Sequence, residues 1–356
     1  MESLYTDKKS CFGCGACAAV CPGGAVSMEM DAEGFYYPRI EPARCTGCGS
    51  CSAVCPAKSR PARAEGRFYA VRCSDEELLR RSTSGGAFSL LAQEVLDGGG
   101  VVCGACFDEN FTVRHTLSRD IAPMRKSKYV QSDLSDCYPA MEEALNAGRQ
   151  VLFCGTPCQC HAVKRFLTGN GAGLILASLV CRGVQSPGLW RDYTAWLGRG
   201  GPLRAYDFRD KRQKNDGHAV SCTIGGEETV VPAQEDKLTR MYYRGLTYRP
   251  SCYACPYCCP DNDFDFTLGD FWGIERIHPR LADGRGTSLV IARGPRAAEL
   301  MARITEKAQV IPCEREAAAQ PALAAPAREH LLRKFFFRDY AQFDISYLLK
   351  KYSMGQ

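Results

Sequence analysis

Eight cysteines near the start of the chain carry the clearest chemistry. Cys11, Cys14, Cys17 and Cys21 stand before Pro22, and Cys45, Cys48, Cys51 and Cys55 stand before Pro56. Both runs read C-x2-C-x2-C-x3-C-P, the spacing that wraps a 4Fe-4S cluster. Cysteines at steps of three close a tight loop round one cubane. Gly13, Gly15, Gly47 and Gly49 let the backbone bend close and turn N–H groups toward the sulfurs. The fourth cysteine lies past a short helical turn and reaches the other cluster. One cluster is therefore assigned to Cys11, Cys14, Cys17 and Cys55, and the other to Cys45, Cys48, Cys51 and Cys21. Each proline stops the turn that precedes it. Zinc sites usually pair two C-x2-C knuckles, and disulfide scaffolds belong to small secreted chains, so both fit these runs poorly.

Fourteen further cysteines follow, enough to look for another metal site. In Cys154-Gly-Thr-Pro-Cys158, Thr156 can cap a helix with Pro157 at its first position. Cys158 then lies in the first turn, where the helix dipole favours a thiolate. That suits a metal ligand or a nucleophile; a buried structural cysteine is the plainer alternative. Cys181 closes another apolar strand, where α/β proteins place chemistry. Cys252, Cys255, Cys258 and Cys259 form a dense group whose C-x2-C knuckle reads as half a metal site. Cys158 and Cys181 can supply the other half. A zinc knuckle competes, and the head favours iron–sulfur. Ser82–Gly86 (STSGG) opens a helix and offers backbone N–H groups to an anion such as a dinucleotide diphosphate, or is simply an N-cap with a flexible turn. Leu268–Gly273 (LGDFWG) sets an aromatic pair between glycines, either a wall for a flat ring such as a flavin or a turn with core aromatics. Cys103 and Cys106 read as core cysteines on opposite faces of a strand. The scattered histidines are assigned to no metal.

The elements that must hold these residues alternate. Ala25–Met30 and Gly34–Arg39 read as a hairpin inside the head. A linker rich in Arg, Ala and Pro follows. Ala87–Val95 marks an amphipathic helix ended by Gly98–Gly100. Strands are expected at Val101–Phe107, Phe111–Leu117, Gln150–Cys154, Leu174–Val180, Leu203–Phe208, Ala219–Ile224, Phe264–Leu268 and Ser288–Ala292. Tyr138–Ala147 and Pro157–Leu167 read as helices. The pattern argues for an α+β or α/β fold: a small ferredoxin-like dicluster domain (1–60), a linker (61–81), a larger mixed α/β domain (82–315) and a helical tail (316–356). The tail is basic and aromatic, and is expected to pack on the core.

The chain has 356 residues, room for two or three domains. Its 45 basic and 40 acidic residues show no like-charge run of the kind nucleic acid requires. The first residues, MESLYTDKKS, lack the apolar core of a signal peptide. The longest apolar stretch, near Leu174–Val180, falls far short of a membrane span. A reducing, anaerobic cytoplasmic location is expected for so many thiols and clusters.

Taken together, Ser82–Ser89 (STSGGAFS), Lys126–Leu134 (KSKYVQSDL), Gly155–Gln159 (GTPCQ), Cys181–Pro187, Arg249–Cys255 (RPSCYAC), Leu268–Gly273 and Gly286–Leu289 (GTSL) resemble one family. It is that of the beta subunit of coenzyme F-420-reducing hydrogenase and its dehydrogenase relatives. Formate dehydrogenase beta subunits and 7-hydroxymethyl chlorophyll a reductase belong to it. The match runs through nearly the whole chain after the head, in the family's order. The resemblance implies a bound FAD and a third 4Fe-4S cluster on Cys158, Cys181, Cys252 and Cys255. It carries FAD contacts to Ser82, Ser84, Gly85, Gly86, Lys128, Tyr129, Gln131, Thr156 and Asp270. The family usually has His where Arg182 stands, which leaves that histidine's role without a carrier here. Cys154, Cys160, Cys258 and Cys259 also depart from its pattern, so Cys154 or Cys258 competes for a place among the four ligands.

The implied function is a flavin and iron–sulfur oxidoreductase. It would couple hydride exchange at FAD, with reduced F-420 as one candidate carrier, to single-electron transfer through the clusters. Electrons would run from substrate to FAD, to the large-domain cluster, to the head clusters, then to ferredoxin or a partner subunit, or in reverse. Lys128 and Arg182 are candidates to hold an acidic substrate group. The alternative is an electron-transfer subunit with no substrate of its own, and a zinc-binding ferredoxin-like protein is a third reading. No nucleic-acid or membrane partner is expected, and homo-oligomerisation is left open.

Overall fold

The computed structural model describes residues 4–169, 171–212 and 218–353. In the head, the short helices Ala16–Ala19 and Ser50–Ala53 start from Gly15 and Gly49, at φ of 77° and 76°. A side chain in this left-handed backbone would cost about 1–2 kcal/mol. Each helix carries the third cysteine of its run, and the fourth follows just beyond it. Strands β1 (Val26–Met30) and β2 (Tyr36–Ile40) form the expected antiparallel hairpin, pairing Val26 with Ile40 and Met30 with Tyr36.

Eight strands build the main sheet. They are β3 (Arg67–Cys73), β4 (Val101–Phe107), β5 (Val113–Ser118), β6 (Val151–Gly155), β7 (Leu174–Leu179), and, after a smaller sheet, β11 (Phe266–Asp270), β12 (Ser288–Ala292) and β13 (Ala308–Cys313). The smaller sheet is antiparallel and consists of β8 (Leu203–Asp210), β9 (Ala219–Ile224) and β10 (Glu227–Pro232). The main sheet runs in the order β13-β3-β12-β11-β7-β6-β4-β5. Its middle strands β4, β6, β7 and β11 are parallel, and the flanking strands pair antiparallel. Parallel strands are covered on both faces, which is why β6 is buried throughout and β7 everywhere but its last residue.

Helices Ala87–Asp97 and Gly294–Ile304 cover one face through Leu91, Val95, Leu300 and Ile304. Helices Cys137–Asn146 and Pro157–Phe166 cover the other through Met141, Ala144 and Val163, and the head's Ala16 and Val54 join the same cluster. A third core gathers helix Pro187–Leu197, β8, β9 and the tail helices Arg333–Tyr340 and Ile345–Tyr352 around Trp190, Phe208 and Phe336, together with the head's Phe35 and Tyr37. Among the described residues, no helix is long and apolar enough to cross a membrane.

The expected linker over 61–81 is corrected. Residues 62–64 pair with 261–263. Arg67–Cys73 lies inside the main sheet between β13 and β12, and Glu76–Arg81 is a helix capped by Asp75. Cys103 and Cys106 are buried, as core cysteines should be. The expected helical tail holds two helices, both packed on the core.

Candidate functional site

In the head, thiols of the two runs lie close enough to act on one another. Cys14 is pushed well above its ordinary pKa by burial and further by Cys17, Cys11 and Cys55. Cys17 is pushed up to about 12 by burial, with Cys11 and Cys55 adding to it. Cys51 is raised by burial and by Cys21 and Cys48. Cys55 thus acts on Cys14 and Cys17 of the other run, and Cys21 on Cys51. Cys45 and Cys48 are exposed, so the second set faces solvent while the first faces the large domain.

The GTPC turn joins β6 to helix Pro157–Phe166. Gly155 has no room for a side chain, because a Cβ would stand 2.8 Å from the Phe153 ring and 3.0 Å from Gln159 Oε1. That oxygen accepts from both the N–H and the Oγ1–H of Thr156, each at 3.0 Å. Gln159 in turn donates to Ser132 Oγ at 2.9 Å. The turn therefore holds Cys158 rigidly at the rim of a small cavity, which Cys181, Cys252, Cys255 and Cys258 also line.

Within this cavity the thiols raise one another. Cys181 is pushed well up by burial and by Cys252, Cys158 and Cys255. Burial and its neighbours push Cys252 up to about 12. Burial outweighs the helix N-terminus at Cys158, whose thiol rises to about 11 rather than falling toward the expected thiolate. A hydrogen bond with Cys258, followed by burial, raises Cys255. Thiols like these surrender their protons to a metal rather than to water. Among the described residues, no three His, Cys, Asp or Glu side chains converge on a point that a single metal ion could fill. The donor set itself, soft sulfurs spread round a cavity with apolar walls, fits an iron–sulfur cluster.

Beside this cavity opens a cleft of about 280 Å³, just under the roughly 300–1,000 Å³ usual for small-molecule sites. It lies at the carboxyl ends of the parallel strands, where Ala105, Cys154, Val180 and Asp270 line it. Ser82, Ser84 and Gly86 form one lip. Tyr129 and Tyr242 stack at 4.7 Å to form an aromatic wall. Arg209 donates to Asp270 at 2.5 Å and to the Tyr129 hydroxyl at 3.2 Å. Arg125, Lys126 and Arg182 add further positive charge. The arrangement fits an anionic, flat-ringed ligand: hydroxyls and a helix start for phosphate, cations around them, and aromatic faces for the ring.

Residues 10–59 match the family model of the 4Fe-4S dicluster domain, and residues 148–316 match that of the C terminus of the coenzyme F420 hydrogenase/dehydrogenase beta subunit. The chain joins a 4Fe-4S dicluster domain to the C-terminal domain of the coenzyme F420 hydrogenase/dehydrogenase beta subunit. A chain from the solved F420-reducing NiFe hydrogenase complex of Methanosarcina barkeri is similar at 17% identity and a TM-score of 0.47, covering 82% of this chain and 94% of that one. No curated protein matches. This beta-subunit domain marks the chain as an oxidoreductase, and the dicluster domain accounts for two 4Fe-4S clusters.

Several residues singled out by the family resemblance meet at the cleft: Ser82, Ser84, Gly86, Lys128, Tyr129, Thr156 and Asp270 all line it. Gly85 and Gln131 are not among its lining residues. Gly85 is packed behind the lip, donating its N–H to Ser288 Oγ at 2.9 Å. Gln131 turns to the head instead and donates to the carbonyls of Phe12 and Gly13, both at 3.0 Å. Lys128 reaches the carbonyls of Pro123, Arg125 and Lys126, and burial lowers it to about 8. Its three protons are thus already engaged, whereas Arg182 is exposed.

Of the competing cysteines, Cys154 opens on the cleft and Cys258 on the cavity. Cys259 instead meets Arg63 and Asn262. Of the two LGDFWG aromatics only Trp272 lines the cleft, half exposed, while Phe271 is buried in the core. The sequence reading missed His115, Arg209, Tyr242 and Tyr243. The adjacent tyrosines of RMYYRG were the available signal for the aromatic wall.

Proposed function

We propose that the protein couples two-electron exchange at a bound FAD to one-electron transfer through three 4Fe-4S clusters. Its small-molecule partner would be a hydride carrier such as reduced coenzyme F-420, and its electron partner ferredoxin or another redox subunit. When bound, the flavin supplies hydride exchange and the clusters supply single-electron steps. FAD would lie in the cleft against Ser82, Ser84, Gly86, Tyr129, Thr156 and Asp270. The third cluster would be held by Cys158, Cys181, Cys252 and Cys255, and the head clusters by the two crossed sets.

One observation carries this reading: cleft and cysteine cavity share a wall. Thr156, Leu179, Val180, Cys181, Arg182 and Val184 line both. The chain of sites continues on the cavity's far side. Phe12 of the head lines the cavity and stacks edge-on against Tyr257 at 5.6 Å. Tyr257 in turn feels Cys158 and Cys255 on one side and Cys14 and Cys55 on the other. Arg182 at the shared wall would hold an acidic group of the hydride carrier. The exposed Cys45–Cys48 edge would face the electron partner, and either direction of flow is open to such a row.

The test is anaerobic purification with iron, sulfide, zinc and flavin assays, followed by addition of reduced F-420 or NAD(P)H. Bound flavin bleached by one of these donors is expected. Zinc without flavin would overturn the reading. Bleaching by neither would leave an electron-transfer subunit with no substrate of its own.

A further inference from the structure

Arg249 is among the most deeply buried side chains, at 1% exposure. Its Nε donates to the Cys11 carbonyl at 2.8 Å, its Nη1 to Gln131 Oε1 at 3.0 Å and its Nη2 to the Tyr36 carbonyl at 3.0 Å. Nη2 also lies 3.5 Å from Cys11 Sγ. The guanidinium covers the Tyr37 ring at 4.2 Å, and the residue lines the cysteine cavity. Among the described residues, none of its hydrogen-bond partners is a carboxylate. A buried cation without a counter-charge is costly.

The structure nevertheless builds around this charge. Gly13, at φ 62°, leaves the space the guanidinium needs, since a Cβ there would overlap Arg249 and Gln131. The anion that would balance the charge is a thiolate-bound cluster. A cubane on four thiolates is anionic and gains a further negative charge on reduction, and its potential follows local charge and hydrogen bonding. The guanidinium reaches two such places at once, Cys11 on one side and the cavity of Cys158 and Cys252 on the other.

We propose that Arg249 is the shared counter-charge of two clusters, one on Cys11, Cys14, Cys17 and Cys55 and one in the Cys158–Cys255 cavity, and that it raises the reduction potential of both. The second half rests on the cavity cluster proposed above. Arg249 is a positioning residue: it pins the first cluster loop to the large domain and fixes the charge that the two sites share. Among the described residues, none of its contacts is to the third set, Cys21, Cys45, Cys48 and Cys51.

Potentiometric titration of the anaerobic full-length holoprotein, followed by electron paramagnetic resonance, tests this with Arg249→Gln and Arg249→Lys. In Arg249→Gln two of the three couples should move to lower potential by at least tenfold in the reduction equilibrium, about 59 mV for one electron, with the third unmoved. Arg249→Lys keeps the charge and should keep the potentials. No shift in Arg249→Gln, an equal shift of all three couples, or the same shift in Arg249→Lys would overturn the proposal. If Arg249→Gln fails to load its head, Arg249→Lys decides: loaded and unshifted supports the proposal, while loss or shift rejects it. A wild-type iron content of about eight per chain, two cubanes' worth, would reject the cavity cluster and with it the shared role, yet still leave the head couple's response readable.

Discussion

Substituting Cys158 by Ala separates the ligand sets most cleanly. The proposed assignment divides twelve cysteines into three groups: two crossed sets in the head and Cys158, Cys181, Cys252 and Cys255 at the large-domain cavity. At four irons per four-cysteine cubane, a fully loaded chain carries about twelve irons, and Cys158→Ala should carry about eight. The head irons stay, because Cys158 belongs to neither crossed set. Cys154→Ala should keep all twelve, because its side chain opens on the cleft and not on the cavity. Cys258 lines the cavity and is hydrogen-bonded to Cys255, which makes it the one residue placed to rescue the first variant. A Cys158→Ala/Cys258→Ala double variant closes that route. The assay is iron and acid-labile sulfide per chain after anaerobic reconstitution, with spin integration of the reduced state. Full iron in the double variant, or loss of a cubane in Cys154→Ala, would refute the assignment.

Other predictions follow from packing and charge. Gly85→Ala should destabilise the protein by about 1–3 kcal/mol and loosen the serine lip, because the new methyl would overlap the backbone of Val71 and Ser288; an unchanged melting temperature would count against the close packing. Burial holds His115 neutral, with its pKa lowered to about 4, against about 6.5 when unfolded. The unfolded chain therefore takes up the proton first. The stability contribution is intact above pH 6.5 and lost as pH falls toward 4, about 2 kcal/mol of it by pH 5. His115→Gln should accordingly melt with a smaller difference between pH 7 and pH 5 than wild type, and an equal difference would reject this. Arg333→Met breaks a pair with Glu33 at 2.7 Å. Removing one partner of a buried pair costs about 3–5 kcal/mol, and Glu33's partial exposure points to the lower end. Denaturant unfolding should show that loss together with earlier proteolysis of the tail, and wild-type resistance in both would sink the prediction.

The head was legible because cluster chemistry dictates local spacing: ligands three residues apart must share one loop. Strands β6 and β7 were legible because a parallel strand covered on both faces is an unbroken apolar run. Strand β3 was not. Its Arg72 looks like a solvated charge, but in the fold it is buried and donates to the Gly286 carbonyl and Thr287 Oγ1, partners more than 200 residues away. Gln131 misled for the same reason. It lies in a stretch whose Lys128 and Tyr129 do line the cleft, yet its own partners are in the head, 118 and 119 residues away. Arg249 stood in plain view in RPSCYAC, but nothing local reveals that its charge ends against Cys11.

The Arg333–Glu33 pair also sets an order in time. Its partners are 300 residues apart, so at about 5–20 residues per second of synthesis the hairpin of the head waits roughly 15–60 s for its clasp. Through that interval the hairpin lacks the ion pair that ties it to the tail helix. The clasp on the head is thus a late contact, made only after the intervening residues have been synthesised.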